Sequence, residues 1–147
     1  MKNIVITGSS SGFGEDAAKV FSDAGYRVWA TMRDTTERNA AVKKALESYS
    51  SKISVVEMDV KDDNSVKDAF CDIFKEIDEV DVLINNAGIM YTGITEGFSI
   101  AQAHEQMNTN YYGAIRTTQA VLPSMRKARN GLIINVSSIA GRIAVPY

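Results

Sequence analysis

Cysteine and histidine are nearly absent from this chain: its 147 residues contain one of each, Cys71 and His104. A single cysteine excludes an internal disulfide framework and any zinc site built from several thiolates. Cys71 falls inside an amphipathic helical pattern, which predicts a buried, unreactive thiol. His104 lies in a polar segment and reads as a surface residue. A histidine-based triad or metal cluster has little material here, so no metal is expected. No apolar run reaches the roughly 18 residues that span a bilayer, and no membrane partner is expected. The formal net charge is only −2, so bulk electrostatics give no reason to expect nucleic acid or an anionic membrane surface. No signal-peptide pattern precedes the first strand, and the expected location is the cytoplasm. What is present is ordinary for a globular protein: 45% hydrophobic and 23% charged residues. The length suits one domain, 1–147, with a substantial core and neither repeat nor linker.

The chain is organised around Val5-Ile6-Thr7-Gly8-Ser9-Ser10-Ser11-Gly12-Phe13-Gly14. A short apolar strand stops in glycines and serines. Ala17, Val20, Phe21 and Ala24 then recur at helical spacing. The Gly-x3-Gly-x-Gly spacing is a variant of a dinucleotide-binding fingerprint. Glycine permits positive φ and close approach of a backbone or ligand. The free N–H groups of the first helical turn, with the helix dipole, face an anion such as a pyrophosphate. The same residues also suit a plain turn with an N-cap, so the choice rests on other stretches.

Strands are predicted at Asn3–Thr7, Arg27–Met32, Ile53–Met58, Val80–Ile84 and Leu132–Val136. Helices are predicted over Gly12–Ala24, stopped by Gly25, and over Arg38–Tyr49, whose thin apolar face is Ala41, Val42 and Leu46. A third, capped by Asp62 or Asp63, carries the stripe Val66, Ala69, Phe70, Ile73, Phe74 and Ile77. A long helix runs from Ile100 or Ala101 to Lys127 with a break near Asn108. Ile89 to Ile100 shows no period, and Ser137 to Tyr147 reads as loop. This alternation implies right-handed βαβ units and a doubly wound parallel sheet. The short apolar strands one, three, four and five are expected to be covered on both faces.

In such a sheet, ligands bind beyond the carboxyl ends of the strands. Asn85-Asn86-Ala87-Gly88 follows strand four, beside the glycine loop. Ala87 and Gly88 leave room for a flat ring; the alternative is an Asx-turn with no ligand. Asp59-Val60 ends strand three, where the carboxylate either accepts from an adenine amino group or caps the next helix. Ser137-Ser138 ends strand five, where a hydroxyl either holds a substrate oxygen or makes a turn. Asn110 and Gly113 are poor helix formers inside a helical pattern. They suggest a kink or a functional backbone carbonyl; the alternative is a tolerated surface asparagine.

Together with Asn110-Tyr111-Tyr112-Gly113 and the run from Gly131 to Gly141, these stretches resemble the short-chain dehydrogenase/reductase family. They stand in family order and spacing over essentially the whole chain. The resemblance implies a three-layer α/β/α Rossmann-type fold with strand order 3-2-1-4-5, ending after strand five. It implies an oxidoreductase that moves a hydride between NADP(H) and an alcohol or ketone, in a parent that is a homodimer or homotetramer. Gly8, Ser10, Ser11, Gly12, Phe13 and Gly14 would cradle the pyrophosphate and adenosine ribose. Asp59 and Val60 would flank the adenine. Asn86, Ala87 and Gly88 would support the adenine ribose and the central sheet. Asn110 would belong to the catalytic tetrad, holding a proton-relay water, and Ser138 would polarise the substrate carbonyl. Met32 holds the position where NAD-binding members carry an acid, and Arg33 follows it, as in NADP-preferring members, with Ser11 adding a hydroxyl. The alternative puts Asp34 on the ribose and Arg33 in solvent, favouring NAD. The family's acid/base pair, Tyr-x-x-x-Lys, falls beyond Tyr147, and Tyr147 itself comes too early. The expectation is an N-terminal portion with little or no turnover. A sheet edge beside strand four or five, and a helix face around Ala114, Val121 and Leu122, are expected to be exposed and to promote association. The competing reading is a non-catalytic dinucleotide-binding or regulatory module.

Overall fold

Five parallel strands and their crossover helices define the computed structural model, which describes residues 1–143. The strands are β1 (Asn3–Thr7), β2 (Arg27–Met32), β3 (Ile53–Glu57), β4 (Val82–Asn85) and β5 (Leu132–Asn135). The helices are α1 (Gly12–Asp23), α2 (Ala40–Tyr49), α3 (Asp63–Glu76), α4 (Ile100–Met107) and α5 (Gly113–Ala128). The sheet order is β3-β2-β1-β4-β5, with every neighbouring pair parallel. This is the predicted three-layer doubly wound arrangement.

Successive strand residues face opposite sides of the sheet, and this period of two builds two cores. Ile4, Ile6, Val28, Ala30, Met32 and Ile84 point to one side, where Ala18 of α1 and Leu46 of α2 meet them. Val5, Trp29 and Leu83 point to the other, where they meet Val66, Phe70 and Ile73 of α3 and Val121 and Met125 of α5. The buried Val, Leu, Ile, Phe and Met side chains among these each contribute about 1.5–3 kcal/mol by leaving water.

The differences from expectation have local causes. Regular pairing of β4 starts at Val82 because Asp81 folds its carboxylate onto the Asn3 N–H, 2.7 Å away. Val80 is buried just before it. α2 starts at Ala40, after a closed turn that holds Arg38. Cys71 is exposed, contrary to the buried reading: the buried row of α3 is Val66, Ala69, Phe70 and Ile73, and Cys71 sits off it. Val121 is fully buried rather than exposed, because α5 lays it against the sheet. β5 departs from the two-sided burial expected of it. Ile133 packs on the α3–α5 side, whereas Leu132 and Ile134 are exposed, since β5 is the edge strand with no helix over that face among the described residues. The long helix continues through the expected break as one π-helical turn, Asn108–Tyr112. The loop after β5 carries a 3-10 turn, Ile139–Gly141; Tyr147 lies outside the described residues. Among the described residues, no helix is long and apolar enough to cross a membrane.

Parallel strands share one carboxyl edge. Gly8, Arg33, Asp59, Asn86 and Ser138 all follow their strands there.

Candidate functional site

The glycine loop is shaped by what its neighbours leave no room for. Gly8 has φ 69°, and a Cβ there would lie 2.7 Å from the Ala87 Cα, so the turns after β1 and β4 are pressed together. A Cβ on Gly14 would run into the Gly8 carbonyl and the Asn86 amide. Gly12, at φ 56°, is different: nothing lies within 4 Å of its added Cβ. Ser11 stands at the N-cap of α1 without making a side-chain cap bond. The first turn of α1 therefore has no side-chain acceptor at its N-cap, an arrangement that fits an anion. Phe13 is 82% exposed beside them.

Asn86 locks this loop. Its side-chain amide donates to the carbonyls of Thr7 (3.0 Å) and Gly8 (3.1 Å). Thr7 Oγ1 in return accepts from the backbone of Asn86 (3.0 Å) and Ala87 (2.9 Å). Beneath it, buried Asn85 donates to Asn135 Oδ1 (2.8 Å) and accepts from Thr117 Oγ1 (2.6 Å), tying β4, β5 and α5 together. Sequence reasoning missed Thr7, Thr117 and Asn135. Their signal was asparagine at strand ends, where it is unfavourable without partners.

At the ends of β2 and β3, Met32 is buried and Arg33 is exposed. Arg33 Nη1 lies 3.8 Å from Asp59 Oδ2. Asp59 Oδ1 accepts from Lys61 N at 2.9 Å. Asp59 does not cap α3; Asp62 does, accepting from the N–H groups of Asn64 and Ser65. Val60 is buried, so close to α5 that a Cβ on Gly113 would come within 2.9 Å of it. A cleft of about 310 Å³ is lined by Gly8, Ser10, Ser11, Phe13, Arg33, Asp34, Asp59, Val60, Asn86, Ala87 and Gly88. Arg38 and Lys61, which sequence reasoning passed over, line it too.

Asn110 lies in the π turn. Its side chain accepts from Ile89 N and donates to Ile89 O, both at 2.8 Å. The asparagine thus ties this turn to the chain after β4. Ser138 Oγ accepts from Ala140 N at 3.1 Å, capping the 3-10 turn. Asn110 and Ser138 line one further cleft of about 880 Å³, which shares Val60, Asn86, Ala87, Gly88 and Ile89 with the first. On its flank, Glu105 accepts from the Tyr91 hydroxyl (2.7 Å) and from Lys61 Nζ (3.0 Å). These two donors hold the Glu105 carboxyl below its ordinary range, and the bond to Glu105 raises the Tyr91 hydroxyl above its own.

The first cleft thus shares a wall with a second whose lining includes both Ser138 and Asn110. The sequence matches the short chain dehydrogenase family over residues 2–147. It is 41% identical over 144 residues to 3-ketodihydrosphingosine reductase of Bacteroides thetaiotaomicron, covering 98% of this chain and 49% of that protein. It is 41% identical over 149 residues to retinol dehydrogenase 8 of Bos taurus, covering 99% of this chain and 47% of that one. The chain thus spans about half the length of these curated relatives. The solved structure of ElxO with NADP bound superposes with a TM-score of 0.89 at 33% identity, covering 99% of this chain and 59% of the other. Short-chain dehydrogenases are oxidoreductases that bind a nicotinamide dinucleotide, and the uncapped first turn of α1, with Gly8 and Ser11 on the cleft wall, fits its pyrophosphate. The chain belongs to the short-chain dehydrogenase/reductase family.

Proposed function

We propose that this chain forms the cofactor-binding portion of an NADP(H)-dependent oxidoreductase acting on an alcohol or ketone. The observation that carries the cofactor choice is the end of β2. Buried Met32 occupies the place of a ribose-binding acid, and Arg33 lines the cleft beside Ser11. A guanidinium attracts a 2′-phosphate by charge and by its forked donors, whereas a carboxylate at that place repels it. Gly8, Ser10, Ser11, Gly12, Phe13 and Gly14 hold the pyrophosphate and adenosine ribose. Asp59 and Val60 flank the adenine. Asn86, Ala87 and Gly88 carry the ribose side, with Asn86 acting through its grip on the glycine loop. When bound, the dinucleotide supplies or accepts the hydride. Ser138 orients the substrate oxygen, and Asn110 serves the proton-relay water while anchoring Ile89. A reductase of a ketone and a retinol dehydrogenase among the relatives support the alcohol/ketone class. A cytoplasmic location and a homodimeric or homotetrameric parent complete the reading.

Trp29 is the chain's only tryptophan, so its emission, transferred to a reduced nicotinamide ring, reports binding without turnover. NADPH should bind about ten- to a hundredfold more tightly than NADH, the worth of one charged hydrogen bond. Arg33→Ala should bring the two close together. Equal affinities in the unaltered protein, or an unchanged ratio in the variant, would favour Asp34 as the ribose ligand and NAD as the cofactor.

A further inference from the structure

We infer that the substrate carries an uncharged aliphatic group beside its carbonyl, and that Met90 is a specificity-determining residue against which that group packs. The inference rests on the oxidoreductase reading above and deepens it. The two clefts differ in charge. Arg33, Asp34, Arg38, Asp59 and Lys61 all line the first. Among the described residues, no Asp, Glu, Lys, Arg or His lines the second, although its volume of about 880 Å³ is the larger. A charged group brought into such a cleft loses water and finds no counter-ion. Three of its lining amides are engaged within the protein. Asn86 donates to the Thr7 and Gly8 carbonyls. Gln106 Oε1 accepts from the Tyr91 N–H at 2.8 Å. Asn110 spends both ends of its amide on Ile89. Ser138 is different: its Oγ accepts from Ala140 N, but a hydroxyl also has a proton to donate. One donor aimed at an oxygen, with no cation near it on the wall, suits a carbonyl and not a carboxylate.

Met90 stands between two pinned neighbours. Ile89 is held by Asn110, and Tyr91 by Gln106 through its N–H and by Glu105 through its hydroxyl, at 2.7 Å. The backbone of this strap is therefore held in advance, which lowers the cost of ordering it on binding. The Met90 side chain lines the second cleft and not the first, and it is 75% exposed. Tyr111 lines the same cleft at 54% exposure, and Ile115 and Ala140 add apolar surface. Large apolar side chains left in water on a cleft wall mark a place that an apolar ligand covers. Methionine, unbranched and flexible, adapts to an aliphatic chain. A small molecule is the occupant favoured here, because the strap belongs to the reaction site: Ile89 lines both clefts, and Ser138 and Asn110 line the second with Met90.

The test titrates the chain, saturated with NADP⁺ so that no reduction occurs, with 2-octanone or 7-oxooctanoate, followed by saturation-transfer NMR. The two share a methyl ketone and a chain length, and differ only in a terminal carboxylate in place of a methyl. The unaltered protein should bind 2-octanone at least about tenfold more tightly. Met90→Lys should weaken 2-octanone and strengthen 7-oxooctanoate, reversing the preference, while Met90→Leu should keep it. Met90 is exposed, so neither substitution threatens the fold. Equal affinities in the unaltered chain, tighter binding of the keto acid, or a preference that Met90→Lys leaves unchanged overturns the inference. Weaker self-association of Met90→Lys with both ketone affinities unchanged also overturns it, and assigns Met90 to a protein contact. Binding of neither ketone by a chain that binds NADPH removes the inference alone. If Trp29 emission shows that NADPH itself does not bind, the oxidoreductase reading falls and takes the inference with it.

Discussion

Gly8 and Gly12 are both left-handed, but they face different surroundings. For Gly8 the strain of a side chain in that conformation adds to a collision with the Ala87 backbone. For Gly12 the strain stands alone, because the space beyond it is open. The left-handed cost is about 1–2 kcal/mol for a residue with a Cβ. Gly12→Ala should therefore lower stability by about that amount and no more, because its methyl meets nothing, and, on the proposed pyrophosphate role of Gly12, it should also weaken NADPH. Gly8→Ala should cost clearly more stability, because two strand-end turns must separate. Denaturant melts and NADPH titrations of both variants check this; equal losses of stability would mean that the two turns are not tightly packed together.

The helix from Ile100 to Ala128 changes hydrogen-bond pattern at the π turn, and that change presents Asn110 to the chain after β4. Thr109 supports the turn by donating to the Glu105 carbonyl at 3.0 Å. Glu105 is a second tie, to Tyr91. Its carboxyl is depressed, first by the bond from Tyr91 and then by Lys61. A depressed acid stabilises the fold above its unfolded value and loses that contribution as pH falls through its folded one. The Tyr91 hydroxyl is raised, so its contribution is present below its unfolded value and is lost as pH rises through its folded one. The tie holds across the neutral range and lapses at both ends. Thermal melts of the protein and of Tyr91→Phe should differ by a small constant amount at neutral pH. The gap should narrow below the ordinary carboxylate value of 4.5 and again above the ordinary phenol value of 10.0. A gap independent of pH would show that the tie is packing alone.

Across the whole molecule, burial is uneven. Four strands lie under helices on both faces, while β5 offers Leu132 and Ile134 on its open face, at 53% and 38% exposure, with Val136 just beyond it. An edge strand with apolar side chains is a template for pairing with another chain. Light scattering of this chain should show association that grows with concentration. Ile134→Lys should reduce it, because a charge on the edge strand opposes pairing. A monomer at high concentration without that substitution would contradict the reading.

How much of this was legible beforehand depends on the distance over which each feature is decided. Strand and helix alternation, the glycine spacing and the strand-end positions of Asn86, Asp59 and Ser138 are written within a few residues of one another, because the periods of strands and helices and the freedom of glycine are local properties. They were enough to predict a doubly wound parallel sheet and bring the site residues to one edge, while the strand order came with the family resemblance. Three-dimensional proximity decided the rest. Cys71 is exposed because the row of α3 that meets the sheet includes Ala69, Phe70 and Ile73 and passes it by. Arg38 joins the cleft because Asn39 and Glu57 fold the turn back, through bonds that span up to 22 positions in the chain. Such bonds depend on which strand ends come to lie side by side, and a local pattern does not encode that.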